Sequence, residues 1–341
     1  MTKYKVKVVK TTVQGKHDLE EICIEGTNFD LSLLNYGATI THLATKDRWG
    51  QKENIVVNFE KVEDYLAERS FIGSAVGRVA GRIRKGKWGN DKSVQLVCNE
   101  GVNHLHGGEI GFDNTFWSYR IEEKVDQLII LFRRQSPHLE SGYPGNLEMN
   151  IRFTLYQDTL KIEYEGYADR KTLLNPTNHT YFNLSGSKRT SILDHHLWIN
   201  SANYLPLGNE HLPTGDSQPV EGTVFDLRAS RQLSEVLFST DSQIQQEDGL
   251  NHPFLLSHTT TYIGSLSHAK SGRKVLITCH NPVMIVYTGN HFKGQPCIKY
   301  GGIALETQDY PDAVTHPQFP NHWLELGELF HRQTTWSFFA T

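Results

Sequence analysis

Cysteine is scarce in this chain, with four among 341 residues: Cys23, Cys98, Cys279 and Cys297, far apart and never as a Cys-x-x-Cys pair. That argues against a disulfide framework or a cysteine-based zinc site and predicts reduced, mostly buried thiols. No run approaches the ~18 apolar residues of a membrane-spanning helix. The first ten residues alternate Lys with Val where a signal peptide would carry an apolar core. The expectation is a soluble, cytoplasmic chain, in which the sequons Asn178-His-Thr180 and Asn183-Leu-Ser185 carry no meaning. Basic residues are not in excess either: 34 Lys and Arg against 38 Asp and Glu leave a net charge of -4, without a basic stripe. Nucleic acid is therefore not an expected partner. Also missing are the Gly-x-Gly-x-x-Gly and Gly-x-x-x-x-Gly-Lys-Ser/Thr phosphate loops, the His-Glu-x-x-His zinc helix and the Gly-x-Ser-x-Gly elbow. Nucleotide-dependent, zinc-protease and serine-hydrolase chemistries lose their usual support.

What the chain does have is enough apolar residue, 38%, to build a sizeable core, and 21% charged residues, too few for a disordered chain. Period-two alternation dominates. Leu147, Met149, Ile151, Phe153 and Leu155 are followed, after Gln157-Asp158-Thr159, by Leu160, Ile162 and Tyr164, which reads as a β-hairpin. Similar runs cover 6–13, 29–43, 128–132, 275–279, 284–287 and 336–339, separated by turn formers such as Asn35-Tyr-Gly37, Gly142-Tyr-Pro-Gly145 and Pro206-Leu-Gly208-Asn209. Helical pattern is confined to 62–69 and 230–238. Strands without intervening helices predict antiparallel sheets packed face to face. With no repeat or linker in view, the expectation is all-β: one β-sandwich domain spanning 1–341.

Five polar clusters are candidates for chemistry. In Val76-Gly-Arg78-Val-Ala-Gly-Arg82-Ile, two arginines beside glycines can offer a guanidinium fork to ligand oxygens, or simply pair with a surface carboxylate. In Asn103-His-Leu-His106-Gly-Gly108, His104 and His106 would share one face of a strand. That pattern admits a metal pair, but no further ligands accompany it, and a hydrogen-bonding histidine fits better. Asn175-Pro-Thr-Asn-His179-Thr-Tyr181-Phe-Asn183 sets an imidazole among amides and aromatics, a mixture suited to a polyol or to a buried structural histidine. Gly249-Leu-Asn251-His252 reads as a turn. In Tyr300-Gly-Gly-Ile-Ala-Leu-Glu306-Thr-Gln308, a carboxylate ends an apolar run, where desolvation raises its pKa toward that of a general base unless backbone N–H groups satisfy it.

Taken in order, these clusters resemble the galactose mutarotase (aldose 1-epimerase) family. "GRVAGRI" is similar to the family's "GRxAGRI", "NHLHGG" to its "LHGG", "NPTNHTYFNLSG" to its "NxTNHxYFNL", "GLNHPF" to its "GxDHxF", and "GIALETQDYPDA" to the segment holding its glutamate base. "GFDNTFW", "SGYPGNL", "YLPLGNEHLPTG", "VEGTVFDLR" and "VYTGNH" extend the match from about residue 35 to about 320. The resemblance implies a large twisted antiparallel β-sandwich that binds a free monosaccharide without metal or other cofactor and interconverts its α and β anomers. It implies Glu306 as general base and His179 as general acid, with Arg82, His106, Tyr181 and Asn251 lining the sugar site.

Two departures stand out. Asn251 occupies a position where the family usually has Asp, leaving an amide that can donate and accept; if it misses the sugar, Asp248 or His252 would reach in instead. Ile285 stands where some members have Gln. Two other readings remain: a catalytically silent sugar-binding protein, and a glycoside hydrolase, which needs two carboxylates flanking the bond. A phosphosugar epimerase shows no recognisable phosphate cluster. The preferred aldose, and whether the protein is a monomer or a homodimer, stay open.

Overall fold

The computed structural model describes residues 4–13, 17–67, 69–88, 94–186, 190–294, 296–320 and 323–341; the first three residues of the N-terminal Lys/Val alternation lie outside these. The described residues form three larger antiparallel sheets of five, nine and six strands. The expected hairpin is the centre of the nine-stranded sheet: Leu147–Tyr156 pairs with Thr159–Ala168 in register, Met149 opposite Gly166 and Phe153 opposite Ile162. Its alternating Leu147, Met149, Ile151, Phe153 and Leu155 are fully buried, as period two dictates for a sheet with one face on the core. One apolar cluster joins residues of all three sheets, among them Ile22 and Leu31, Ile130 and Ile162, and Phe254, Met284 and Leu305. The all-β, antiparallel sandwich expectation holds.

The apolar run 29–43 is two strands, Phe29–Leu34 and Thr39–Lys46, because the Asn35-Tyr-Gly37 turn interrupts it with positive φ at Gly37 and Ala38. The helix expected over 62–69 shrinks to Asp64–Ala67, with residue 68 outside the description, and that over 230–238 shrinks to Leu233–Leu237. A third helix, Ser242–Glu247, went unread in the sequence; the Asp241 side chain caps it by accepting from Gln243 N, and Asp248 closes it in the left-handed region. The thiols are less uniformly buried than expected: Cys279 and Cys297 are buried, Cys23 is half-buried and Cys98 is exposed. No described helix is long and apolar enough to cross a membrane.

Candidate active site

The six-stranded sheet builds its cavity by alternation. On strands Asn251–Leu256, Val283–Tyr287 and Ile303–Gln308, one set of side chains (Phe254, Met284, Val286, Ile303, Leu305) enters the core. The alternate set (Asn251, Pro253, Ile285, Tyr287, Glu306, Gln308) lines a cavity of about 290 Å³ on the other face. Cross-strand register aligns Pro253 with Ile285 and Ile285 with Glu306. Tyr181 joins from the neighbouring strand, opposite Ala304. The remaining wall comes from outside this sheet and includes Phe71, Arg82, Glu100, His106, His179 and His211. The volume lies just below the roughly 300–1,000 Å³ of sites for drug-sized ligands, which suits a small solute.

His179 follows the short strand Thr177–Asn178, and its backbone is fixed on both sides: its N–H donates to Ser74 O at 2.9 Å and its carbonyl accepts from Gly73 N at 3.0 Å. Its Nε2 stands 3.5 Å from Glu306 Oε1, and its Nδ1 meets no hydrogen-bond partner among the described residues. Both side chains are almost wholly buried. Burial raises Glu306 to about 8, an effect that the nearby Arg82 guanidinium opposes. Burial also pulls His179 down to about 4. Between those limits the pair holds one proton. The sequence expectation that the apolar Ile-Ala-Leu run desolvates Glu306 agrees with this geometry.

His106 turns into the cavity on a left-handed backbone, φ 50°. Its Nδ1 accepts from Gly81 N at 3.2 Å. Desolvation, reinforced by the neighbouring His179 and Arg82, holds it well below the usual histidine range, so its neutral ring carries the proton on Nε2 as a donor. Arg82 spends one edge of its fork on Glu100, with Nε to Oε2 and Nη2 to Oε1 each at 2.6 Å. Its surface-carboxylate and cavity readings thus both describe the same side chain. The Tyr181 ring packs on His179 at 4.8 Å and on Phe292 at 4.9 Å.

Several expectations need correction. Arg78 is no ligand fork: it is buried, and its guanidinium donates to Ser136, Thr172 and four backbone carbonyls. His104 and His106 do not share a face. His104 donates from Nδ1 to Val97 O and accepts the Tyr143 hydroxyl at 2.6 Å, away from the cavity. Asn251 begins a strand instead of sitting in a turn, and it lines the cavity. Neither alternative to it reaches in: Asp248 is exposed and paired with Lys299, and His252 is buried against Phe225 and Gln243. The Asn251 amide is also less free than expected, because Nδ2 donates to buried Glu247 at 2.9 Å.

Sequence reading missed Phe71, Glu100, His211, Tyr287 and His291, all of which line the cavity. Phe71 and His211 share with His106 a positive φ, at 59°, 58° and 50°. Non-glycine residues held there cost roughly 1–3 kcal/mol each and gather at functional sites, a signal no residue pattern carries. For metal, one described cluster has ligand geometry, Asp194 with His195 and His268, and it lies outside this cavity. His195 Nε2 already accepts from Leu184 N at 2.8 Å, which puts the ring proton on the Nδ1 that would have to bind the ion.

The family model described as aldose 1-epimerase matches residues 20–336. Galactose mutarotase of Rattus norvegicus is 37% identical over 96% of this chain and 95% of its own length, and that of Homo sapiens is 36% identical over the same shares. The crystal structure of galactose 1-epimerase from Lactobacillus acidophilus superposes with a TM-score of 0.89 at 34% identity, covering 98% of each chain.

Proposed function

From the chain's membership of the aldose 1-epimerase family, which makes it a mutarotase, we propose that it interconverts the anomers of a free hexose such as galactose or glucose, with Glu306 as general base and His179 as general acid. The observation that carries the assignment is the 3.5 Å approach of Glu306 Oε1 to His179 Nε2 inside the cavity, with pKa values displaced to opposite sides so that the pair keeps one proton.

Anomer exchange needs two proton transfers around one C–O bond. Glu306 takes the proton from the C1 hydroxyl as His179 gives one to the ring oxygen; the C1–ring oxygen bond breaks and the C1 carbonyl forms. Rotation about C1–C2 presents the other face, and the same two groups run in reverse. Burial by itself leaves the single proton on Glu306, whereas ring opening needs it on His179. A C1 hydroxyl donating to the carboxylate, with the Arg82 charge beside it, favours the ionised acid and moves the proton toward the imidazole. His106 Nε2–H and Arg82 are placed to stabilise charge on the sugar oxygens. Tyr181 and Asn251 complete the grip, and Tyr181 and Tyr287 offer ring faces to apolar C–H surface. No step calls for a metal or organic cofactor.

A glycoside hydrolase would need a second free carboxylate. Among the described residues the other lining carboxylate is Glu100, held at both oxygens by Arg82. The same reading takes 1–341 as one domain, supported by the shared core cluster, acting in the cytoplasm as monomer or homodimer on a free sugar.

The test is polarimetry on freshly dissolved α-galactose and α-glucose. Glu306→Gln and His179→Asn should each lower kcat by ~10²–10⁴-fold in a folded protein. Near wild-type kcat in either variant refutes the assignment.

A further inference from the structure

Glu247 is an ionised carboxylate that the reaction does not use, buried directly behind the cavity wall. It ends the helix Ser242–Glu247 with its side chain fully covered. Desolvation works to raise it, yet the hydrogen bonds from His211, Asn251 and Gln246 prevail and bring it down to about 2. His211 Nδ1 lies 2.7 Å from Oε2, and because a carboxylate only accepts, that nitrogen must carry the proton. Asn251 Nδ2 donates to the same oxygen at 2.9 Å, and Gln246 Nε2 donates to Oε1 at 3.1 Å. Two cavity residues from separate segments are thus oriented by one hidden charge.

The loop carrying His211 is strapped down. Gln243 pairs with the Leu207 backbone through both ends of its amide, at 2.7 and 3.0 Å, and Gln246 Nε2 reaches Leu207 O and Gly208 O. Asn103 donates to Glu210 at 3.0 Å. Glu210 and His211 both take left-handed φ, 61° and 58°, which turns the imidazole back over the helix end and into the cavity. With Nδ1 committed to Glu247, Nε2 is the nitrogen left for a ligand. With Nδ2 of Asn251 drawn toward Glu247, its Oδ1 is likewise the end left for a hydroxyl. Asn251 lies two strands from Glu306, across Val283–Tyr287, a lateral separation of about 10 Å at the usual strand spacing. A hexose with C1 at Glu306 therefore turns its distal hydroxyls toward Asn251 and His211.

We infer that His211 is a sugar-binding and specificity-determining residue and that Glu247 is the positioning residue that fixes the His211 ring and the Asn251 amide. The carboxylate missing at position 251 stands one layer back and acts through an imidazole. This rests on the proposed mutarotase reading with C1 at Glu306. The ligand class is a neutral aldopyranose recognised by its hydroxyls away from C1.

The experiment measures mutarotation of galactose, glucose and 4-deoxy- and 6-deoxygalactose by wild type, His211→Phe, His211→Ala and Glu247→Gln. His211→Phe keeps ring bulk but removes Nε2, and should raise KM for galactose roughly tenfold, the size of one lost polar contact, with kcat within about twofold. The penalty should disappear for whichever deoxygalactose lacks the contacted hydroxyl. Glu247→Gln should raise KM in the same direction and weaken the Nδ1–H preference of His211 in long-range ¹H–¹⁵N spectra, which galactose should also perturb at Nε2 in wild type. Unchanged KM for all four sugars in both His211 variants overturns the inference, as does a fall in kcat at constant KM. The His211 variants decide it alone if Glu247→Gln does not fold. Should Glu306→Gln keep wild-type kcat, the placement of C1 at Glu306 fails first; loss of activity there with unaffected His211 variants confines the failure to this inference.

Discussion

Glu306→Gln should make the protein more stable at neutral pH while removing its activity. The folded-state pKa of Glu306 is raised from 4.5 to about 8 by burial, so the native chain holds a proton that the unfolded chain has already lost. A raised pKa gives stability that is fully present below 4.5 and is lost as pH rises through about 8. Each pH unit in that window removes about 1.4 kcal/mol. From 4.5 to 7 the loss sums to about 3 kcal/mol, and Gln, neutral at every pH, escapes it. The variant's advantage should therefore be near zero at pH 4.5, grow through pH 6 and 7, and level off above about 8. His179, drawn down to about 4, destabilises the fold only below the usual histidine pKa and does so in both proteins, so it cancels in the difference. Urea midpoints for wild type and variant at pH 5, 6, 7 and 8 measure it. A difference that stays constant across that range, or a variant less stable throughout, refutes the reasoning.

The same pair predicts a bell-shaped kcat/KM after subtraction of the spontaneous reaction: rising through about 4, where a doubly protonated pair has no base, and falling through about 8, where a proton-free pair has no acid. A flat profile between pH 4 and 9 contradicts it. Asn251→Asp, which restores the residue usual in the family, should raise KM and lower stability, because it sets a second carboxylate against Glu247 Oε2 where the amide donates at 2.9 Å. Adding Glu247→Gln should relieve this, and a lower KM from Asn251→Asp alone would show that the two groups do not touch.

The sheets were legible because their code is local. Alternation at Leu147, Met149 and Ile151 states both the strand and its buried face, and turn chemistry at Asn35-Tyr-Gly37 states where a run must break. The helix Ser242–Glu247 was equally open to reading, with Asp241 as N-cap and the Asp248-Gly249 stop, but six residues with Ile244 as their one apolar member hold too little apolar period to stand out among strands. His179 and Glu306 stood out as candidates for a related reason, each sitting in a short segment whose neighbours state its environment, amides and aromatics for one and an apolar strand for the other; their roles came only with the family resemblance.

What escaped sequence reading depends on contacts between distant segments and on backbone that opposes local preference. Phe71 and His211 reach the cavity through left-handed φ, where an ordinary side chain is disfavoured, so propensity argues against the very conformations that make them useful. Glu247 is the sharper case. By sequence it is a polar residue at a helix end, for which exposure is the default. In the fold it is buried, because His211 from one loop and Asn251 from the next strand both donate to it. Position 251, judged alone, looks like a lost charge. Judged with Glu247, the charge is still within one hydrogen bond of the cavity wall. A substitution in a binding site therefore has to be weighed with the layer behind it, which no single motif contains.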